Sequence, residues 1–183
     1  MPILPGMYRI PRLDIHKDGF AAVHAWLILV EGGESRDPDD RGGLTKYGIS
    51  QKQYPDLDIA ALAFEQALAL YKRDYWDAHQ CARLPKLVGL CLFDAVVQHN
   101  PVKAKKLIQQ GLNVKADGVI GPKTRAAAEQ ATVASFLSRH LSYRAMYYVS
   151  LAINRPQQKK FLRGWLRRLF LLSNYVTHHE KIS

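Results

Sequence analysis

Cysteine is scarce: Cys81 and Cys91 are the only two in 183 residues, and neither belongs to a Cys-x-x-Cys pair. That excludes a disulfide-stapled framework and a zinc ribbon, and predicts free, partly buried thiols in a protein made in a reducing compartment. The seven histidines are scattered, with no cluster at metal-ligand spacing, so neither a metal nor an organic cofactor is expected. His178, His179 and Glu180 do sit together, but in a polar C-terminal stretch that reads as a frayed tail.

Long hydrophobic runs are missing too. The most apolar stretch, "AAVHAWLILV" at 21–30, falls short of the ~18–20 residues a membrane span requires, so no stable membrane insertion is expected. It lacks a small-residue cleavage site, contains His24 and runs straight into Glu31, which favours a buried helix over a secretory leader. Alternating strand patterns of any length and internal repeats are also absent, which leaves a mainly α-helical chain. Acidic residues are in the minority, 16 against 26 Lys and Arg, for a formal charge of +10. Such a balance favours polyanionic partners: nucleic acid, anionic lipid or an acidic wall polymer. No DNA- or RNA-binding motif accompanies the charge, so nucleic acid is not expected as a partner.

Residues 1–17, with three prolines, read as an extended arm. From Asp18, a suitable N-cap, the positions Phe20, Val23, Leu27 and Val30 recur at helical spacing, and Gly32 supplies a stop. Glu31 therefore ends the first helix on the face that Leu27 buries. A glycine-rich, acidic loop follows, with a small β element expected around 44–50. Further helices are predicted over 64–76, 84–100 and 102–112, then from Pro122, and as two longer ones over 131–153 and 158–176. In the last, Arg163, Arg167 and Arg168 accompany Phe161, Trp165, Leu166, Leu169 and Phe170; a bundle helix with a solvated basic face is favoured over a membrane-surface helix.

The chemistry concentrates in "VEGGESRDPDDRGGLTKYGIS", residues 30–50. A glycosidase needs a protonated carboxyl beside the scissile oxygen and, commonly, a second carboxylate. The negative end of a helix and an apolar face both disfavour the carboxylate form, which suits Glu31 to the acid role. Asp37, Asp39 and Asp40 are candidates for the second role. Asp40 lies nine residues after Glu31 and Thr45 five beyond that, so a loop folded back at Gly42 and Gly43 would bring both to the glutamate. The bland alternative is a helix end followed by turn and cap residues.

The same stretch resembles the signature of glycoside hydrolase family 108, the phage and bacterial N-acetylmuramidases, whose first helix ends in Glu-Gly-Gly and continues through Asp-Pro-x-Asp-x-Gly-Gly-x-Thr-x-Tyr/Trp-Gly-Ile. The similarity continues through "YKRDYWD" and "LFDAVV"; "ADGVIGPKT" is similar to the family's peptidoglycan-binding region, and "FLRGWLRRL" is also familiar there. This resemblance implies a lysozyme-like helical fold, with a catalytic region at 18–100, a peptidoglycan-binding-like region at 101–176 packed on it and a tail at 177–183. It implies an endolysin that cleaves the β-1,4 bond between N-acetylmuramic acid and N-acetylglucosamine. Glu31 would be the acid, Asp40 and Thr45 its catalytic partners, and Asp37, Tyr47, Asp94, Tyr75 and Trp76 substrate contacts. For Asp94 a structural hydrogen-bond acceptor is the competing reading, and core packing competes for each of the aromatics. The chain departs from the family pattern at Val97–Pro101. Peptidoglycan is the implied partner, the monomer the implied state, and a phage lysis cassette with holin-assisted passage to the periplasm the implied setting. A non-catalytic wall-binding or secretion-assisting protein of the same family is the alternative.

Overall fold

The computed structural model describes residues 19–30, 34–35 and 44–180, which fall into two compact units dividing between Ala78 and His79. In the first unit, helix α1 spans Phe20–Val30. It is entered through Gly19 at φ 76°, a conformation that a Cβ would strain. Phe20, Val23 and Leu27 are fully buried, as the sequence spacing predicts, and Trp26 joins them.

Three two-residue strands follow: β1 Glu34–Ser35, β2 Thr45–Lys46 and β3 Ile49–Ser50. They pair antiparallel in the order β1-β2-β3. The β element expected at 44–50 is thus the β2–β3 hairpin, extended by one further strand. Its two-residue loop, Tyr47-Gly48, has φ of 53° and 74°, the doubly positive backbone that matches the twist of a tight hairpin.

Helix α2, Phe64–Tyr71, widens into a π-helical turn at Lys72–Asp77. The sequence predicts a single helix over 64–76 here. With its wider π-helical step, the segment buries Trp76, whereas Tyr75 is half-buried.

The second unit opens with a 3-10 turn at Cys81–Arg83 and helix α3, Lys86–Gln98. Every residue of α3 from Leu87 to Val96 is buried, which explains why its sequence has no polar face. Helices α4 Pro101–Gly111, α5 Pro122–Gln130 and α6 Val133–Asn154 follow, then a 3-10 turn at Pro156–Phe161 and α7, Leu162–Glu180. Helix α7 runs past Val176, so residues 177–180 continue the helix that the sequence reading ended in a tail. Helix α3 packs on α4 and α7, and α6 packs on both of those. Asn100 caps α4 by accepting from the N–H groups of Val102 (2.9 Å) and Lys103 (3.3 Å), so the departure from the family pattern at Val97–Pro101 includes a helix start. Cys81 and Cys91 are both buried, as thiols rather than as a disulfide.

The "ADGVIGPKT" turn is organised from inside. The buried amide of Gln109 donates to Asp117 Oδ1 (2.7 Å), Val119 O (3.0 Å) and Thr124 Oγ1 (3.2 Å), and its oxygen accepts from the Gly118 N–H (2.7 Å). Both N–H donors of the amide, and its oxygen, are thus turned onto the loop and hold the turn.

Helices α4 and α6 touch where α4 ends. A Cβ on Gly111 would stand 2.8 Å from His140 Cβ and 2.9 Å from the Phe136 ring. Gly111→Ala should therefore destabilise the protein by ~1–3 kcal/mol through overpacking, offset in part by better helix propensity. Urea unfolding should show a lower midpoint; an unchanged or raised midpoint would mean that the two helices separate at no cost.

Candidate active site

Glu31, Asp37, Asp39 and Asp40 lie outside the described residues. What is described is the frame on either side of them. Helix α1 ends at Val30 with no basic side chain in its last turn, so nothing on the helix itself compensates the partial negative charge of its C-terminus. Strand β1 begins three residues after Glu31, and the centre of the sheet is β2, where Thr45 pairs with Ser35 on one side and Ser50 on the other. The half-buried Thr45 is thereby registered against a residue four positions downstream of Glu31 in sequence.

The hairpin tip is held in a sparsely populated conformation. A non-glycine residue at positive φ costs on the order of 1–3 kcal/mol and persists where its surroundings enforce it. At Tyr47 they do. Its carbonyl accepts from the Tyr71 hydroxyl at 3.1 Å, and its ring meets Phe64 edge-on at 5.3 Å. Lys46 Nζ lies 5.5 Å from the Tyr47 ring centre while donating to Ala60 O at 3.0 Å. Tyr71 in turn packs on Tyr75, ring centres 5.6 Å apart, and Gln53 Nε2 donates to the Tyr75 hydroxyl. Tyr47 and Tyr75, both expected as sugar contacts, are thus half-buried and linked through Tyr71 in one aromatic frame.

Trp76 belongs to the core instead. It is 1% exposed and meets Phe20 edge-on at 5.8 Å, so burial replaces the substrate contact expected of it. Nearby, Asp74 accepts from Tyr54 Oη at 2.6 Å and from two nitrogens of Arg73 at 2.5 and 2.6 Å. Burial acts to raise its pKa, but the Arg73 and Tyr54 hydrogen bonds outweigh that and hold the carboxyl below its ordinary value. Asp74 is therefore a fixed anion that orders the residues around Tyr75, not a proton donor.

In the second unit, Asp94 also departs from the role expected of it. It is fully buried, with Oδ2 accepting from Arg144 at 2.7 Å and Oδ1 from Arg168 at 2.8 Å. Burial opposes its ionisation, yet the two guanidinium groups hold its carboxyl well below the usual carboxylate range. Of the two sequence readings, the structural acceptor is the one this geometry realises, because a carboxylate enclosed by two arginines has no oxygen left for a sugar. Arg144 also donates to Tyr148 Oη at 3.2 Å, and Tyr148 stacks on Trp165 at 5.0 Å. Arg168, read from the sequence as part of a solvated basic face, turns inward with 11% of its side chain exposed.

Two histidines flank this cluster as neutral groups. His140 Nδ1 faces the Leu107 carbonyl at 3.2 Å; a carbonyl only accepts, so that nitrogen carries the proton. Burial first, then the Arg144 charge, push both His99 and His140 down to about 3. The unfolded chain protonates near 6.5, so between these values it binds more protons than the folded one and stability falls as pH is lowered. Each histidine should contribute a loss of ~1.4 kcal/mol per pH unit across the middle of that window. Denaturant titrations at pH 7, 6 and 5 measure the slope; stability that is flat or rising over that range would show that the histidines charge without cost.

No curated protein matches the chain. Among solved structures, Brucella abortus SagA superposes with a TM-score of 0.73 at 25% sequence identity, covering 88% of this chain and 95% of that one. The sequence profile of glycosyl hydrolase 108 matches residues 24–99, a span that holds Glu31, the hairpin, Tyr75 and Asp94. The profile of the predicted peptidoglycan domain matches residues 102–170, from the first turn of α4 to Phe170. With both profiles met in order along a mainly α-helical, lysozyme-like fold, residues 24–99 form a glycosyl hydrolase 108 region and residues 102–170 a predicted peptidoglycan domain that follows it in sequence.

Proposed function

We propose that this peptidoglycan hydrolase is an N-acetylmuramidase that cleaves the β-1,4 bond between N-acetylmuramic acid and N-acetylglucosamine, with Glu31 as its general acid. The observation that carries the reading is the strand pairing, which registers Thr45 against Ser35 four residues after the glutamate that follows α1. Glu31 delivers its proton to the leaving glycosidic oxygen as the C1–O bond breaks and positive charge spreads over C1 and the ring oxygen. Asp40 takes the proton of the water that adds at C1 or stabilises the sugar cation, and the Thr45 hydroxyl orients that water. Two carboxyl groups suffice for this chemistry, so no cofactor is invoked.

Tyr47 and Tyr75 supply aromatic surface to the sugars, and Asp37 a hydrogen-bond partner at the cleft edge. The protein acts as a monomer on the wall during host cell lysis, after synthesis in the cytoplasm and holin-assisted release to the periplasm. Among the described residues no helix is long and apolar enough to cross a membrane, which fits passage through a lesion made by another protein. The test is the wild-type chain on purified sacculi, followed by reducing-sugar release and by sedimentation. New reducing ends with loss of turbidity support the muramidase. Firm sedimentation with no reducing ends would favour the non-catalytic wall-binding or secretion-assisting alternative.

A further inference from the structure

Between Glu129 and Glu180 the sequence contains no acidic residue. That interval comprises α6, the 3-10 turn after it and all of α7 up to its last residue. Two of its arginines, Arg144 and Arg168, are spent on the buried Asp94, and Arg139 donates to Gly111 O at 2.8 Å. Arg155, Lys159, Lys160, Arg163 and Arg167 remain, all exposed.

The same interval holds most of the large apolar side chains exposed among the described residues. Of ten large hydrophobic side chains exposed among the described residues, six lie between Tyr143 and Phe170. On α6, Met146 (64% exposed), Val149 (42%) and Ile153 (70%) fall at three- and four-residue spacing on the side opposite the buried His140, Arg144 and Tyr148. Ser142 and Ser150 flank them and turn their hydroxyls back onto the helix, donating to Ser138 O at 2.8 Å and Met146 O at 2.9 Å. Even the polar residues of that face thus present little free hydrogen-bonding capacity. On α7, Phe170 is 74% exposed and shares an outward stripe with Arg163 and Arg167, seven and three residues before it.

Apolar side chains that protrude from convex helices among cations, with no carboxylate between them, do not enclose a sugar: carbohydrate and small-ligand sites are concave and rich in oriented polar groups. They do match the headgroup and upper acyl region of an anionic bilayer, where the apolar groups insert and the cations meet lipid phosphates. We propose that the α6–α7 hairpin is a docking surface for an anionic phospholipid membrane, holding the enzyme reversibly at the bilayer that bounds the space containing its wall substrate. Phe170, Met146 and Ile153 supply the inserting groups, and Arg163 and Arg167 the charge attraction. Binding of this kind is peripheral, and salt weakens it.

The test uses the full chain and vesicle sedimentation, with phosphatidylcholine vesicles set against vesicles of phosphatidylcholine mixed with phosphatidylglycerol. The wild type should bind the anionic vesicles and leave the neutral ones, and raised salt should release it. Arg163→Gln with Arg167→Gln should weaken partitioning on the order of tenfold or more. Phe170→Ser with Ile153→Ser should weaken it comparably, and because all four positions are exposed, circular dichroism and urea midpoints should stay at wild-type values. Sedimentation with sacculi and hydrolysis of soluble wall fragments should be unchanged in both variants, which separates this proposal from the muramidase reading.

Three results would overturn it: no preference of the wild type for anionic vesicles; variants that bind vesicles as the wild type does; or variants that lose sacculus binding instead, which would make the wall polymer the partner. A wild-type dimer that Phe170→Ser with Ile153→Ser dissociates, with vesicle binding unchanged, would assign the face to a second copy of the chain and also overturn it.

Discussion

Glu31→Gln should reduce cleavage of peptidoglycan by roughly 10²–10⁴-fold while leaving the chain folded and bound to sacculi. Glutamine keeps the size and shape of the side chain and removes only the transferable proton. The loss therefore falls on the protonation of the leaving oxygen, a step that binding energy elsewhere cannot supply. The last turn of helix α1 holds no basic side chain, and the negative end of a helix favours the protonated form of a carboxyl beside it. Thr45→Val should cost less, about tenfold, because it removes one hydrogen bond that orients water and leaves both carboxyl groups in place. Turbidity loss and reducing-end assays on the same sacculi measure both. A Glu31→Gln protein that lyses at the wild-type rate would assign the acid role to another residue.

Asp94→Ala should be the most damaging single change to stability, costing ~3–5 kcal/mol, because it leaves a buried guanidinium without its counter-charge. The two arginines differ in how they escape. Arg168, at 11% side-chain exposure, swings outward at small cost, whereas Arg144 is enclosed at 0% and tied to Tyr148. Arg168→Ala should accordingly be milder than Asp94→Ala, since Arg144 still neutralises the aspartate. Asp94→Leu combined with Arg144→Met should recover much of the loss, because an apolar pair of similar volume avoids the desolvation of both charges. Urea unfolding of the three variants decides: a cost under about 1 kcal/mol for Asp94→Ala would show that the cluster does not anchor the helices.

What was legible in the sequence was local. The face of α1 follows from the spacing of Phe20, Val23 and Leu27, the place of a small β element from the stretch 44–50, and the burial of α3 from a run with no polar side. Asp94 shows where that reasoning stops. An acid inside an apolar helix demands a cation, but its partners stand 50 and 74 residues away, and arginines that pair inward have the same letter as those that face water. One signal was available for Arg144: it sits four residues from both His140 and Tyr148, on the face of α6 that the core claims. No such signal marks the π turn, in which Trp76 is buried and Tyr75 half-buried. Nor does periodicity reveal Gln109, a polar residue on α4 that turns inward to hold a turn later in the chain. In the candidate site, the long motif identifies Glu31 and Thr45 by resemblance, while the pairing of Thr45 with Ser35 required the three-stranded sheet.

The most direct measurement is mass analysis of the fragments released from defined peptidoglycan in heavy-oxygen water. Muramidase action with Glu31 as acid predicts disaccharide muropeptides with intact stem peptides and one heavy oxygen at a newly formed N-acetylmuramic acid reducing end, produced by the wild type and not by Glu31→Gln. Heavy oxygen at an N-acetylglucosamine end, anhydro ends that carry none, or freed stem peptides would contradict it.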